Sequence, residues 1–112
     1  MMVRSPTKFE QGVYDLVSRV PAGRVVTYAA LARALDCGSA QAVGQALKRN
    51  PFAPEVPCHR VIRTDLTIGG YAGKTEGAKL GEKRSLLRAE GVEFDPQGAL
   101  LTKLAVMPKW PR

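Results

Sequence analysis

The sequence predicts a mainly α, small α+β domain, winged helix-turn-helix-like and with short strands. Three observations lead there. The chain has 112 residues, 45% of them apolar and 24% charged, which suits one globular domain with one hydrophobic core. Two short helical patterns meet at Asp36-Cys37-Gly38, each preceded by a good capping residue. Short extended pieces and turn signals, rather than long strands, occupy the remainder.

Taken in order, Phe9, Val13, Leu16 and Val17 recur at helical spacing and predict a helix over Lys8 to Arg19. Pro21-Ala22-Gly23 ends it, and Arg24-Val25-Val26 reads as extended. Thr27 caps a helix that holds Leu31 and Leu35; Ser39 caps the next, Ala40 to Arg49. That second helix turns Val43, Ala46 and Leu47 inward and Gln41, Gln45, Lys48 and Arg49 outward. Asn50-Pro51 stops it, because proline lacks the N–H and biases its predecessor away from helix. Cys58 to Ile62 reads as a short strand, and Gly69 to Gly73 as a glycine-rich loop. A basic amphipathic helix follows from Gly77 to Ala89, with Leu80, Leu86 and Leu87 inside and Gly91 ending it. Val92-Glu93-Phe94, a turn at Asp95 to Gly98, and Ala99 to Thr102 suggest a terminal hairpin. The whole is expected to be one domain over residues 1–112, with its core at about 8–94 and a tail at 95–112.

Composition excludes several classes. No apolar run approaches the ~20 residues of a membrane span, and Met1 to Pro6 has no apolar h-region, so no secretory signal is expected. Two cysteines make no disulfide framework, and with one histidine they fall short of a four-ligand zinc site. A reduced, intracellular protein (cytoplasm or nucleoid) without a metal is the expectation. Seventeen Lys and Arg against 10 Asp and Glu leave a formal charge of +7. That excess suits a polyanion, nucleic acid above all, or serves solubility alone. Paired short helices with amides and cations on one outward face fit base edges and phosphates. Ala40, Ala42 and Gly44 would let that face approach a groove closely. An ordinary αα-hairpin with a solvated face has the same pattern.

The sharpest chemical signal is Pro57-Cys58-His59-Arg60. A thiol with its ordinary pKa near ~8.5 is only slightly ionised at neutral pH and needs a base and a positive field to become a nucleophile. His59 and Arg60 supply both. Strand neighbours point to opposite faces, so a water or a bend must connect Cys58 to His59. His59 in turn needs a carboxylate from elsewhere in the chain to fix its tautomer. The alternative is a buried structural cysteine beside a surface histidine, and Cys37 is read in that structural way.

Val56-Pro57-Cys58-His59-Arg60-Val61 resembles the active-site signature of the O6-alkylguanine-DNA alkyltransferases. The resemblance includes Thr27-Tyr28, Ala42-Val43-Gly44, Asn50-Pro51, Gly70-Tyr71 and Glu90-Gly91, in family order, over about residues 8 to 94. It implies that Cys58 accepts the alkyl group in one irreversible displacement, without a cofactor. His59 would take the thiol proton through a water, and Glu90 would orient the imidazole. Asn50 would brace the active-site turn; Tyr28 would help rotate the flipped nucleotide and protonate guanine N3. Carbonyls of Cys58 and Val61 would read the exocyclic amine. The Ala72 amide would meet O6, with Gly70 and Tyr71 lining the pocket. Flipping is required because O6 is out of a thiolate's reach inside the stack. Gln41, Ala42, Gly44, Gln45, Lys48, Arg49 and Arg60 would face the DNA. Lys79, Lys83, Arg84 and Arg88 are further phosphate candidates, with affinity falling steeply with salt. The implied partner is double-stranded DNA carrying O6-alkylguanine, bound by a monomer away from any membrane.

Three departures stand out. Gln41 replaces the family's usual arginine, which fills the gap left by the extruded base, and an amide lacks guanidinium's charge and stacking reach. Weaker or differently selective flipping is therefore expected. The usual amino-terminal domain is missing, so the chain reads as the working domain alone. Tyr71 to Glu90 is a few residues longer, with Lys74 where a second glycine is common. The length and the Trp110 tail also resemble the alkyltransferase-like proteins, which bind alkylated guanine without repairing it and carry Trp where this chain has Cys58. A lesion-sensing module is thus the competing expectation. A helix-turn-helix regulator or a Cys-His hydrolase would leave the motif series without a purpose.

Overall fold

The computed structural model describes residues 7–36, 39–49, 56–69 and 78–107. Within them run α1 (Lys8–Val17), β1 (Val26–Thr27), α2 (Tyr28–Ala34), α3 (Ala40–Lys48), a 3-10 turn (Cys58–Arg60), β2 (Val61–Ile62), α4 (Ala78–Ala89) and a second 3-10 turn (Lys103–Ala105). This is the mainly α domain with short strands that the sequence predicts.

Side chains satisfy backbone donors at the start of the first three helices. Thr7 and Glu10 form a reciprocal capping box on α1, with bonds of 3.1 and 2.9 Å. Thr27 accepts from the Ala30 amide at 3.2 Å and Ser39 from the Ala42 amide at 3.1 Å, as expected of caps. α1 buries Val13, Tyr14 and Val17, and the Tyr14 hydroxyl donates to the Ala46 carbonyl at 2.7 Å, fastening α1 to α3. Phe9, expected inside, is 36% exposed. α1 ends at Val17, short of Arg19. There the Ser18 hydroxyl donates to the Tyr14 carbonyl, and the following amides reach back three residues rather than four. α2 and α3 make the helix-turn-helix, burying Leu31, Val43, Ala46 and Leu47, while Gln41, Gln45, Lys48 and Arg49 stay exposed. Cys37 and Gly38 of the joining turn lie outside the described residues.

The two short strands divide the interior. β1 and β2 pair in parallel, Val26 opposite Val61 and Thr27 opposite Ile62. Because alternate residues face opposite sides, Val26 and Val61 enter a cluster with Val13, Val17, Leu31 and Val43. Val25 and Ile62 enter a second cluster with Leu87, Phe94, Leu100 and Ala105. Each strand is thus buried on both faces. The expected core limit at residue 94 is too short. Phe94 bridges Leu100 in the hairpin, and Val25 bridges Val106 with amide bonds to Ala105 and from Met107. Residues through Ala105 therefore belong to the packed core, not to a tail.

The expectation of a strand from Cys58 needs correcting. Cys58–Arg60 is a 3-10 turn, closed by the Arg60 amide on the Pro57 carbonyl at 2.9 Å, and only Val61–Ile62 is strand. α4 corrects a second expectation. Lys83, read as a phosphate contact, is 0% exposed. Arg84 directs its guanidinium to the carbonyls of Phe94 and Asp95, 3.1 Å from each. Arg88 is exposed, as expected; the side chains of Lys79 and Leu80 lie outside what is described.

α4 ends in a two-bond glycine cap. Gly91 has φ +85°, its amide donates to Arg88, and the Val92 amide donates to Leu87, both at 2.9 Å. Val92 and Leu87 meet in the second cluster. A Cβ on Gly91 would meet nothing within 4 Å, so Gly91→Ala carries only the cost of the left-handed backbone. The substitution should destabilise the fold by about 1 kcal/mol, read as a lower urea midpoint with unchanged slope. A loss below a few tenths would show that the cap is dispensable.

Candidate functional site

Glu90, one residue beyond α4, gathers the residues that follow Cys58. Its Oε2 accepts from His59 Nε2 at 3.0 Å and from Arg60 Nη2 at 2.7 Å, while Oε1 accepts from Arg60 Nε at 3.0 Å. Arg60 Nη1 also donates to the Val20 carbonyl at 2.7 Å. Burial disfavours the Glu90 anion, but the bonds from Arg60 and His59 together outweigh it and hold the carboxyl below its ordinary range. A carboxylate only accepts, so His59 donates through Nε2 and keeps its lone pair on Nδ1. Nδ1 is buried and has no hydrogen-bond partner among the described residues. The arrangement fixes which imidazole nitrogen donates to Glu90 and leaves Nδ1 as the nitrogen available to take a proton, on the residue that follows Cys58, a half-buried thiol. Sequence reasoning paired His59 with Glu90 through the resemblance. It sent Arg60 toward DNA, whereas the guanidinium is turned inward to Glu90 and Val20.

Lys83 was missed. Its ammonium nitrogen donates to the Val61 carbonyl at 2.8 Å and the Ile68 carbonyl at 2.6 Å, joining the strand after Cys58 to the loop that follows. The Val61 carbonyl, expected to read the base, already accepts from Lys83; the Cys58 carbonyl accepts from the Val61 amide. Burial lowers the Lys83 pKa to about 7, with Cys58 acting in the opposite sense. The signal was present in the sequence: Lys83 lies three residues after Leu80 and four before Leu87, on the apolar stripe of α4.

A groove of about 540 Å³ opens beside the turn. Ala40, Gln41, Gly44 and Gln45 of α3 form one wall, Arg63, Thr64 and Asp65 the other, with Tyr28 at the start of α2. A Cβ on Gly44 would meet nothing within 4 Å, so the glycine leaves the α3 surface low without being forced by packing. Tyr28 is kept protonated: burial raises its pKa, Cys58 raises it further, and Arg63 offsets part of this. Cys58 is therefore within electrostatic reach of both Tyr28 and Lys83. Ala42 is half-buried on α3; Lys48 is exposed, and exposed Arg49 reaches Glu10 at 3.4 Å. Asn50, Gly70, Tyr71 and Ala72 lie outside the described residues. Among the described residues no cluster of His, Cys, Asp and Glu could hold a metal ion, and no described helix is long and apolar enough to cross a membrane.

The buried lysine predicts a pH dependence. The unfolded chain holds the Lys83 proton up to about pH 10.5, while the native chain releases it near 7. Native protein thus binds fewer protons across that window, and stability rises with pH. Between pH 7 and 9 wild type should gain about 2 kcal/mol relative to Lys83→Met. Urea unfolding in a Cys58→Ala background, which removes the coupled thiol, measures the difference. A gap that stays constant or narrows would refute it.

Comparison with known proteins completes the description. Residues 8–92 match the family model described as 6-O-methylguanine DNA methyltransferase, DNA binding domain. The methylated-DNA–protein-cysteine methyltransferase of Methanothermobacter thermautotrophicus is 45% identical over 91 residues, which is 81% of this chain and 48% of the relative. The chain spans about half the length of the curated relatives it matches. A crystal structure of Mycobacterium tuberculosis OGT in complex with DNA superposes with TM-score 0.68 at 33% identity, over 88% of this chain and 56% of that one. The structure of S. pombe Atl1 in complex with damaged DNA containing O6-carboxymethylguanine superposes with TM-score 0.75 at 30% identity, over 94% and 98% of the two chains. With the helix-turn-helix, the Cys58 turn and Glu90 all inside the matched span, the chain belongs to the 6-O-methylguanine DNA methyltransferase family and contains its DNA-binding domain.

Proposed function

We propose that this protein repairs DNA by moving the alkyl group of O6-alkylguanine onto Cys58. The observation that carries the reading is the His59–Glu90 bond, which leaves the other imidazole nitrogen without a partner among the described residues, on the residue that follows a half-buried thiol within electrostatic reach of the groove's Tyr28. His59 Nδ1 takes the thiol proton through a water. The sulfur attacks the alkyl carbon, an S–C bond forms, and the C–O6 bond breaks with its electron pair moving into the purine. Tyr28, held protonated by burial, gives the leaving guanine a proton at N3. A thioether does not hydrolyse, so each molecule reacts once. The base must leave the stack to be reached, and Gln41, Ala42, Gly44, Gln45, Lys48 and Arg49 on α3 are placed to hold the duplex while it does. Asn50, Gly70, Tyr71 and Ala72 keep the roles the resemblance implies.

A second reading is supported by the superposition on Atl1 over nearly the full length of both chains. In it, the groove binds the lesion and Cys58 stays unreacted. Intact-protein mass spectrometry separates the two. Incubation with duplex O6-methylguanine should add one methylene equivalent, located on Cys58. An unchanged mass with saturating lesion DNA, together with lesion-selective binding that survives Cys58→Ala, would establish the sensor instead.

The proton path has its own test. Glu90→Gln replaces an acceptor-only carboxylate by an uncharged amide that also donates, so the His59 tautomer is no longer fixed and transfer should slow on the order of 10²-fold while binding of undamaged duplex persists. Transfer at the wild-type rate would remove His59 from the mechanism.

A further inference from the structure

Cations on this domain differ in what already occupies them. Arg60 is bound by Glu90 and Val20, Arg84 by two carbonyls, Arg24 by the Leu104 carbonyl, Arg49 by Glu10, and Lys83 is buried. Arg63 is exposed, and no hydrogen bond or ion pair holds its guanidinium among the described residues. It is also the only cation among the groove's described lining residues.

Its root is well fixed. The Arg63 amide donates to the Thr67 carbonyl at 3.0 Å and its carbonyl accepts from Leu66 at 2.8 Å. Its stem lies against Gly69, where a Cβ would come within 2.8 Å of Arg63 Cγ. Gly69 has φ +71°, so glycine suits both the backbone and the closeness of the arginine. The one carboxylate of the groove, Asp65, is turned to Thr67, accepting from its amide at 3.1 Å and its hydroxyl at 2.7 Å. Beyond those Thr67 bonds, Arg63 helps lower the Asp65 pKa through its charge, but among the described residues no ion pair joins the two, and Arg63 shares the groove lining with Gln41 and Gln45 of α3.

From this geometry we infer that Arg63 is the phosphate-binding residue of the groove, seating a backbone phosphodiester of the nucleotide that enters beside Tyr28. Guanidinium matches a phosphodiester by two parallel N–H···O bonds. The α3 amides lack a positive charge and, unlike the guanidinium, can both donate to and accept from base edges. The two walls thus divide the work: α3 meets the duplex, and the Arg63 loop holds the strand carrying the displaced base. The inference rests on the proposed function, since it names the ligand of that same site.

The test uses the full chain and two readouts. Duplex binding is measured in a Cys58→Ala background as a function of salt. Arg63→Gln should weaken it about tenfold and flatten the log–log slope by about 0.9, the loss of one phosphate contact; Arg63→Lys should retain the slope. Cysteine alkylation is then compared for a lesion in duplex DNA and for the same base supplied without its phosphates. The loss from Arg63→Gln should be about tenfold larger with DNA. An unchanged salt slope, or equal losses on both substrates, overturns the inference. If the wild-type thiol reacts with neither substrate, the transfer reading fails by itself, and the salt slope still decides the role of Arg63.

Discussion

One carboxylate holds the working parts in register. Glu90 lies thirty residues beyond Arg60 in sequence, yet its two oxygens accept three bonds from His59 and Arg60. Arg60 extends the same network to the Val20 carbonyl at the end of the α1 segment. Three remote pieces of chain therefore meet at one anion: the turn carrying Cys58, the end of α4, and the approach to β1. A buried carboxylate is costly unless it is paired and hydrogen-bonded, and here every bond that offsets its burial also fixes something functional. The glycine cap at Gly91 turns the chain immediately after Glu90, so the backbone of α4 ends where the carboxylate is needed.

The paired short strands extend that logic into the packing. Two residues of β1 and two of β2 are enough because both faces are covered, one by the helix-turn-helix cluster and the other by the α4–hairpin cluster. Val43 of α3 shares one cluster with Val26 and Val61, which ties the helix-turn-helix to the strand that follows the Cys58 turn. Lys83 adds a polar tie from the second cluster, bonding carbonyls on β2 and on the loop before the glycine-rich segment. His59 and the strand after Cys58 are thus tied to packed elements, which is what precise placement of a reacting atom requires.

Much of this was legible in the sequence, and the remainder failed for identifiable reasons. Thr27, Ser39 and Gly91 act locally, through their own backbone neighbours, so capping chemistry located the helix boundaries they mark. The strand expected at Cys58 failed because Pro57 and Glu90 act against the apolar pattern. Proline pre-sets a turn, and a single carboxylate draws both His59 and Arg60 to itself, which alternating strand positions would not allow. Arg60 and Lys83 were sent to the surface because charge was given more weight than position. Lys83 occupies the apolar stripe of α4, and only the tertiary structure supplies the two carbonyls that let an amine be buried there. The packing of residues through Ala105 depends on Val25, some eighty residues earlier, and local periodicity carries no information about such a contact.

The formal charge of +7 therefore misstates what the domain presents to DNA. Arg60, Arg84 and Lys83 act within the fold, where they satisfy carbonyls or a carboxylate; Arg24 is exposed and gives one N–H to the Leu104 carbonyl. Arg49 can exchange Glu10 for a phosphate, because the contact at 3.4 Å is long and the Arg49 side chain is 59% exposed, while Glu10 is buried. Lys48 and Arg63 need no exchange. Lys48 stands at the end of α3 and Arg63 on the groove wall, while Lys8, Arg19, Arg33, Arg88 and Lys103 are exposed elsewhere on the domain. A uniformly basic surface would bind duplex anywhere along itself. Among the described cations only Arg63 lines the groove, so a strand that enters the groove meets its charge there and not on the outer surface.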